Sequence, residues 1–153
     1  MPPTPPDDAV DQDNGGASEQ LMAPEVVVHH LAQAKAALCI AGKRSLSLQL
    51  RSAPHAASAA GVGYLQSLSE AVDHEILIDC ADDAGLVMAA LRSGCRKLIF
   101  IGPEADRQRL ELMASMRSAS LFGLMEPSPP CLVLSPDDDE ATIRDWLDTQ
   151  DLP

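Results

Sequence analysis

Short apolar runs of five or six residues alternate along this chain with longer segments of helical periodicity. The runs are SLSLQL at 45–50, EILID at 75–79, KLIFIG at 97–102 and CLVLS at 131–135. Runs of this length are typical of strands, whereas the segments between them repeat apolar residues every three or four positions, as helices do. The alternation predicts a parallel sheet, because parallel neighbours need a crossover connection that is usually a helix.

The helical segments are predicted at 24–41, 56–72, 82–94 and 103–118, with a last helix after residue 137. Together with the strands they give the order α-β-α-β-α-β-α-β-α. We therefore predict an α/β fold: a single three-layer domain with a small, mainly parallel sheet of about four strands and helices on both faces. Its core must come from aliphatic side chains and Met, because aromatic residues make up only 3% of the chain.

The ends of the chain differ in composition from the segment between them. Residues 1–22 are rich in Pro, Asp and Gly and contain few large apolar side chains, which predicts a disordered acidic N-terminal tail. Residues 23–150 are predicted to form the single α/β domain, and 151–153 its C-terminal end. One domain is also the expectation for a chain of 153 residues.

Negative charge is concentrated at those ends. The net charge is −12, yet residues 23–136 contain 11 acids and 10 bases. Nucleic acids and anionic membranes are bound through clusters of Lys and Arg. Because the sequence has no such cluster, we predict that the chain binds neither. No apolar run approaches the roughly 20 residues of a membrane-spanning helix, and the N-terminus lacks the pattern of a signal peptide.

The four cysteines favour a reducing compartment. They stand at positions 39, 80, 95 and 131, with irregular spacing and no C-x-x-C pair. Disulfide frameworks belong mostly to short secreted chains that are dense in Cys. We therefore expect reduced thiols and a cytoplasmic protein.

Candidate site residues follow from the predicted sheet, because open α/β sheets bind ligands beyond the carboxyl ends of their strands. The polar residues at those positions that we select as ligand-binding candidates are Ser52, His55, Asp79, Asp82 and Asp83. His55 and Asp79 are the candidates for acid–base catalysis, since an imidazole titrates near neutral pH and close carboxylates shift each other's pKa. Helix capping is the simpler explanation for Asp82 and Asp83.

No motif identifies a reaction. The sequence has no phosphate-binding G-x-x-x-x-G-K-[ST], no G-x-G-x-x-G after a strand and no G-x-S-x-G, and we predict no cofactor or metal. The leading hypothesis is a non-catalytic binding or regulatory module that acts through protein contacts, with a protein partner or a second copy of itself. The alternative is a small-molecule or metal-binding enzyme with its site at the carboxyl ends of the strands.

Overall fold

Six short parallel strands and six helices make up the computed structural model, which describes residues 23–124 and 128–150. The strands are β1 (Glu25–Val28), β2 (Gln49–Ser52), β3 (Ile78–Asp79), β4 (Lys97–Ile99), β5 (Ser120–Phe122) and β6 (Cys131–Val133). The helices are α1 (Leu31–Lys43), α2 (Ala56–Ala60), α3 (Val62–Val72), α4 (Ala84–Arg92), α5 (Glu104–Met116) and α6 (Glu140–Thr149). The predicted N-terminal tail, 1–22, and the C-terminal end, 151–153, lie outside the described residues.

The strands form two three-stranded parallel sheets, β2-β1-β6 and β3-β4-β5. One parallel pair, Arg51 with Leu77, joins them. It is held by hydrogen bonds from the Ser52 amide to the Leu77 carbonyl and from the Leu77 amide to the Leu50 carbonyl, each 2.9 Å long. The strand order is therefore β6-β1-β2-β3-β4-β5, and the last strand in the chain returns to the edge beside the first.

The predicted α/β class and the parallel sheet are confirmed, but the sheet has six strands rather than about four. The predicted first helix, 24–41, begins instead with β1, and α1 starts only at Leu31. Three consecutive valines, Val26 to Val28, favour extended backbone, and β1 is buried between β2 and β6. Strand β5 was also missed, because three residues are too few to show a period.

Side chains alternate between two faces of the sheet. The helix face carries Val26, Val28, Leu50, Ile78, Leu98 and Leu134, all of which belong to the main hydrophobic core. The opposite face, here called the open face, carries Glu25, Gln49, Arg51, Leu77, Lys97 and Ile99, none of which belongs to that core. This period of two is the ordinary consequence of strand geometry.

The helices lie in one row on the helix face. Along this row α6 contacts α1, α1 contacts α3, α3 contacts α4, and α4 contacts α5. The sequence predicted helices on both faces. Strands β1 to β5 are instead added in one direction across the sheet, and right-handed crossovers in one direction place every connecting helix on the same side. The structure thus has two layers across the described residues, and the open face has no helix over it.

Candidate functional site

A cavity of about 470 Å³ lies on the open face. Its lining includes residues from β1, β2, β4, β5 and β6 and from the approach to β3: Glu25, Gln49, Arg51, Leu77, Lys97, Ile99, Ser120, Phe122 and Cys131. Because the two edge strands β5 and β6 line the same cavity, the sheet must curl toward a barrel that does not close. From the described part of the connection between those edge strands, Gly123, Leu124, Ser128 and Pro129 also line the cavity.

The wall is mostly apolar with a few polar groups. Leu77, Ile99, Phe122, Leu124 and Pro129 provide the apolar part. The polar part comes mainly from strands β1, β2 and β4, which carry Glu25, Gln49, Arg51 and Lys97. This combination is usual for sites that bind small molecules, where apolar contacts supply much of the affinity and a few polar groups fix the orientation.

Arg51 lies between two buried carboxylates. Its Nη1 is 3.2 Å from Glu25 Oε2, and its Nη2 is 2.7 Å from Asp79 Oδ2. Glu25 is 6% exposed and Asp79 is 4% exposed. The second oxygen of Asp79 accepts a hydrogen bond from the Ala81 amide at 2.9 Å. Burial by itself lowers the pKa of Arg51, but hydrogen bonds and charge attraction from Asp79 and Glu25 outweigh it and raise that pKa.

Lys97 lies on β4, two strands away from Arg51. Its Nζ is 3.4 Å from Gln49 Oε1, and it forms no ion pair with any residue in the described ranges. Gln49 is fixed by hydrogen bonds from its Nε2 to the Leu50 carbonyl at 2.8 Å and to the Glu75 carbonyl at 3.3 Å. Lys97 is thus a partly buried residue of the cavity lining, and among the described residues its Nζ makes only this weak amide contact.

The five residues predicted at the strand ends do not line this cavity. Ser52 is fully buried, and its hydroxyl accepts a hydrogen bond from the Asp79 amide at 2.9 Å. Asp79 belongs to the ion cluster with Arg51. Ser52 and Asp79 are thus joined by a hydrogen bond from the Asp79 backbone to the Ser52 side chain, and their assignment to a ligand site stays a prediction.

The other three candidates stand apart from the cavity. His55 is exposed, with a left-handed backbone (φ of 71°), and its side chain makes no capping hydrogen bond to α2. Asp83 caps α4 by accepting from the Leu86 amide at 3.2 Å. Asp82 is exposed beside it. Of the two acids for which the sequence favoured helix capping, Asp83 is the cap, and catalysis or ligand binding by these residues stays a prediction.

The cysteines and acids form no obvious reactive centre in the described part of the chain. All four cysteines are free. Burial raises the pKa of Cys80 to about 12 and that of Cys95 to about 11, so both thiols stay protonated at neutral pH. Within residues 23–124 and 128–150, no group of three or more His, Cys, Asp or Glu side chains is arranged to hold a metal ion.

Sequence reasoning missed the polar residues of the open face, namely Glu25, Gln49, Arg51 and Lys97. Glu25 was assigned to a helix, Arg51 to the loop after the first predicted strand, and Lys97 to the start of a strand without further role. A signal was present, because Gln49 and Arg51 stand at alternate positions of one strand. That pattern is recognisable only when the strand boundaries are known.

Comparison with known proteins gives no family for this chain. No protein-family model matches the sequence, and no curated protein is significantly similar to it. In the residues that the structure describes, no helix combines the length and apolar character needed to span a bilayer.

Proposed function

We propose that this protein is a non-catalytic binding domain that holds a small molecule in the cavity of its open face. The observation that carries the proposal is the cavity itself, about 470 Å³ in volume and bounded by strands from both edges of the sheet. Small-molecule sites are commonly concave, mostly apolar and of about 300–1,000 Å³, with a few polar groups.

The state of the titratable groups supports binding rather than catalysis. Glu25 and Asp79 are both ion-paired with Arg51, so neither is a free carboxylate that could act as a general base. Cys80 has a raised pKa that disfavours the nucleophilic thiolate. His55 is exposed and does not line the cavity.

Nile red, a neutral apolar dye, tests whether the cavity takes up a small molecule. We expect its fluorescence to rise with a one-to-one stoichiometry in the folded protein. Ser120→Phe should weaken this binding, because Ser120 is an exposed residue of the lining and a phenyl ring there would occupy the cavity. Ser115→Phe is the matched control, since Ser115 is exposed on α5 and lies outside the lining.

Alkylation of cysteines gives an independent readout with an internal control. Cys39 and Cys131 are the exposed cysteines, and of these Cys131 lines the cavity. Bound dye should slow the reaction of N-ethylmaleimide with Cys131 and leave that of Cys39 unchanged, as peptide mass spectrometry would show. A dye that neither binds nor protects Cys131 would overturn the proposed function.

A second candidate function, contact with another protein, is favoured by the outer face of α5. Leu112 is 68% exposed and Met116 is 85% exposed, one turn apart on that helix. Met113, on the same helix, is also exposed, at 38%. A second copy of the chain is the partner that we propose, because a two-fold pair would bury the same apolar residues of both copies.

Native mass spectrometry over a range of protein concentrations tests this second candidate. A dimer that Leu112→Glu together with Met116→Glu converts to monomer would support it. The control is Gln108→Glu, an added charge at another exposed position of α5. A wild-type chain that stays monomeric throughout would exclude pairing through α5.

An enzyme site at the strand ends would use His55 and Asp79, neither of which lines the cavity, so His55→Ala should leave Nile red binding unchanged whether or not such a site exists. A cytoplasmic location is part of the proposal and is supported by the four free thiols. Cell fractionation with an epitope-tagged chain would test it.

A further inference from the structure

We infer that the molecule held in the cavity is an amphipathic anion, with its negative group at Lys97 and Ser120 and its apolar body along the adjoining apolar residues of the lining. This inference rests on the proposed function, since it names the chemical class of the ligand in the same cavity.

The charge balance leaves Lys97 as the group that needs a partner. The other cation of the lining, Arg51, already contacts the two buried carboxylates at 2.7 and 3.2 Å. Among the described residues, Lys97 reaches only the side-chain oxygen of Gln49, at 3.4 Å, which is a long hydrogen bond to a neutral group. A half-buried ammonium loses part of its hydration, and an anionic group would replace it with a charge-assisted hydrogen bond.

The register of the sheet places a hydroxyl beside this ammonium. Lys97 of β4 pairs directly with Ser120 of β5, and both side chains line the cavity. Directly paired residues have Cβ atoms roughly 4.5–5.5 Å apart in sheets, so one carboxylate or similar anion can reach both groups. Within the described residues the Ser120 hydroxyl makes no hydrogen bond, so it is available to donate one.

The apolar body follows from the rest of the lining. Ile99 and Phe122 pair with each other two residues further along β4 and β5, on the same face as Lys97 and Ser120. Leu77 and Leu124 extend this surface, and Leu124 is 80% exposed. A hydrocarbon chain or ring that starts at Lys97 would therefore cover apolar side chains that are otherwise open to water.

The neighbouring carboxylate of Glu25 could instead favour a cationic ligand. Its Oε2 is bound by Arg51, and the residue is 6% exposed, which limits its access to a ligand. Lys97 is more exposed than Glu25 and is free of any carboxylate within ion-pair distance in the described ranges. The geometry thus favours an anion, and a cation remains a measurable contrary outcome.

Three ligands that share the same hydrocarbon chain but differ in head group distinguish an anionic from a cationic ligand. Octanoate, octan-1-ol and octylamine would each be titrated against the protein with bound Nile red, at concentrations below micelle formation. We expect octanoate to displace the dye at least about tenfold more effectively than octan-1-ol, the difference that a charged hydrogen bond supplies. Octylamine should be the weakest of the three.

Variants of the two head-group residues complete the test. Lys97→Met should remove the preference for octanoate over octan-1-ol while Nile red still binds, and Ser120→Ala should reduce it roughly two- to tenfold. Lys35→Met is the matched control, because Lys35 is exposed on α1 and does not line the cavity. High salt should weaken octanoate binding only in proteins that retain Lys97.

The outcomes distinguish this inference from the proposed function. Equal displacement by octanoate and octan-1-ol, or a preference that survives Lys97→Met, would overturn the anionic head group and leave the cavity as a binding site. Strongest displacement by octylamine would overturn it in favour of a cation at Glu25. Failure of Nile red itself to bind would reject the proposed function, and the inference with it.

Discussion

Arg51 is the residue on which the open face depends most. It compensates two carboxylates that are nearly inaccessible to water, on the strands to either side of its own. Its Nε is buried without a hydrogen-bond partner among the described residues, so even this arrangement leaves one donor unsatisfied. Buried ion clusters of this kind seldom add much stability, but removing one member is costly because the remaining charges lose their partner.

Arg51→Met should therefore destabilise the fold by about 3–5 kcal/mol, measured by urea denaturation. Arg144→Met is the control, because Arg144 forms an exposed ion pair with Glu140 and its loss should cost less than about 1 kcal/mol. Neutralising both acids, with Glu25→Gln and Asp79→Asn, should restore much of the stability of Arg51→Met. Equal costs for the two arginine variants would contradict the role assigned to Arg51.

His74 reports on the charge of Lys97. Burial lowers the pKa of His74, and the nearby positive charge of Lys97 lowers it further. Lys97→Met should raise this pKa toward the ordinary value of about 6.5 without reaching it, because the burial remains. A proton NMR titration of the imidazole would show the change. Lys35→Met should leave the pKa of His74 unchanged. A pKa change in Lys35→Met as large as that in Lys97→Met would refute the effect assigned to Lys97.

His74 also determines how the stability of the fold changes with pH. A histidine whose pKa is lowered by folding binds a proton more readily in the unfolded chain. The contribution of neutral His74 to the free energy of unfolding is therefore fully present above about pH 6.5. It is lost as the pH falls through the lowered pKa that His74 has in the folded protein. His74→Gln should reduce this part of the pH dependence, which urea denaturation at several pH values would measure.

At the scale of elements, a glycine divides what the sequence predicted as one helix, 56–72, into α2 and α3. Gly61 lies between the two helices with φ of 90° and ψ of 145°, a conformation that is almost restricted to glycine. A β-carbon at this position would meet no atom within 4 Å, so any cost of substitution comes from the backbone and not from a clash. The break at Gly61 changes the direction of the chain between α2, which follows β2, and α3, which packs in the row of helices.

Gly61→Ala should accordingly destabilise the protein by about 1–3 kcal/mol. Gly63→Ala, two residues away inside α3, should stabilise it by roughly 0.5 kcal/mol, because helical backbone suits alanine better than glycine. Its added β-carbon would also meet no atom within 4 Å. Changes of opposite sign in the free energy of unfolding, measured by heat or urea, would confirm the difference in backbone conformation. Equal changes in the two variants would argue against the break at Gly61.

At the scale of the whole molecule, the hydrophobic core separates two kinds of cysteine. Cys80 and Cys95 belong to the core between the sheet and the helices, whereas Cys39 and Cys131 lie at the surface. Although Cys131 is an exposed residue, partial burial and the charge of Glu25 raise the pKa of its thiol. Access to the core thiols therefore requires that the helix layer separate from the sheet.

Native protein should add maleimide at Cys39 and Cys131 and then stop, as intact-mass spectrometry would show. Cys80 and Cys95 should react only at the rate of global unfolding, and all four thiols should react in guanidinium chloride. The reaction of Cys131 should accelerate as the pH rises, because its thiolate fraction is small at neutral pH. Rapid reaction of Cys80 in the native protein would show that this core opens locally.

The sequence by itself determined the α/β class, because four apolar runs and the helical periods between them are local patterns that tertiary contacts did not override. It also placed the cap regions of α4 and α6, where Asp83 and Asp139 accept hydrogen bonds from the first turns. It did not identify β1, since a valine-rich segment next to a helix can continue that helix or form a strand. Only pairing with β2 and β6 decides between these structures.

Only the tertiary structure decided where the cavity lies. The order β6-β1-β2-β3-β4-β5 puts every helix on one face, and no pattern in the sequence encodes that order. Strand pairing brings Lys97 beside Ser120 and Arg51 beside Glu25, residues that are 23 and 26 positions apart in the chain, and the curl brings β5 and β6 to the same cavity. Periodicity reports which residues share a face of one strand, whereas a site assembled across strands depends on register and curvature, which long-range packing sets.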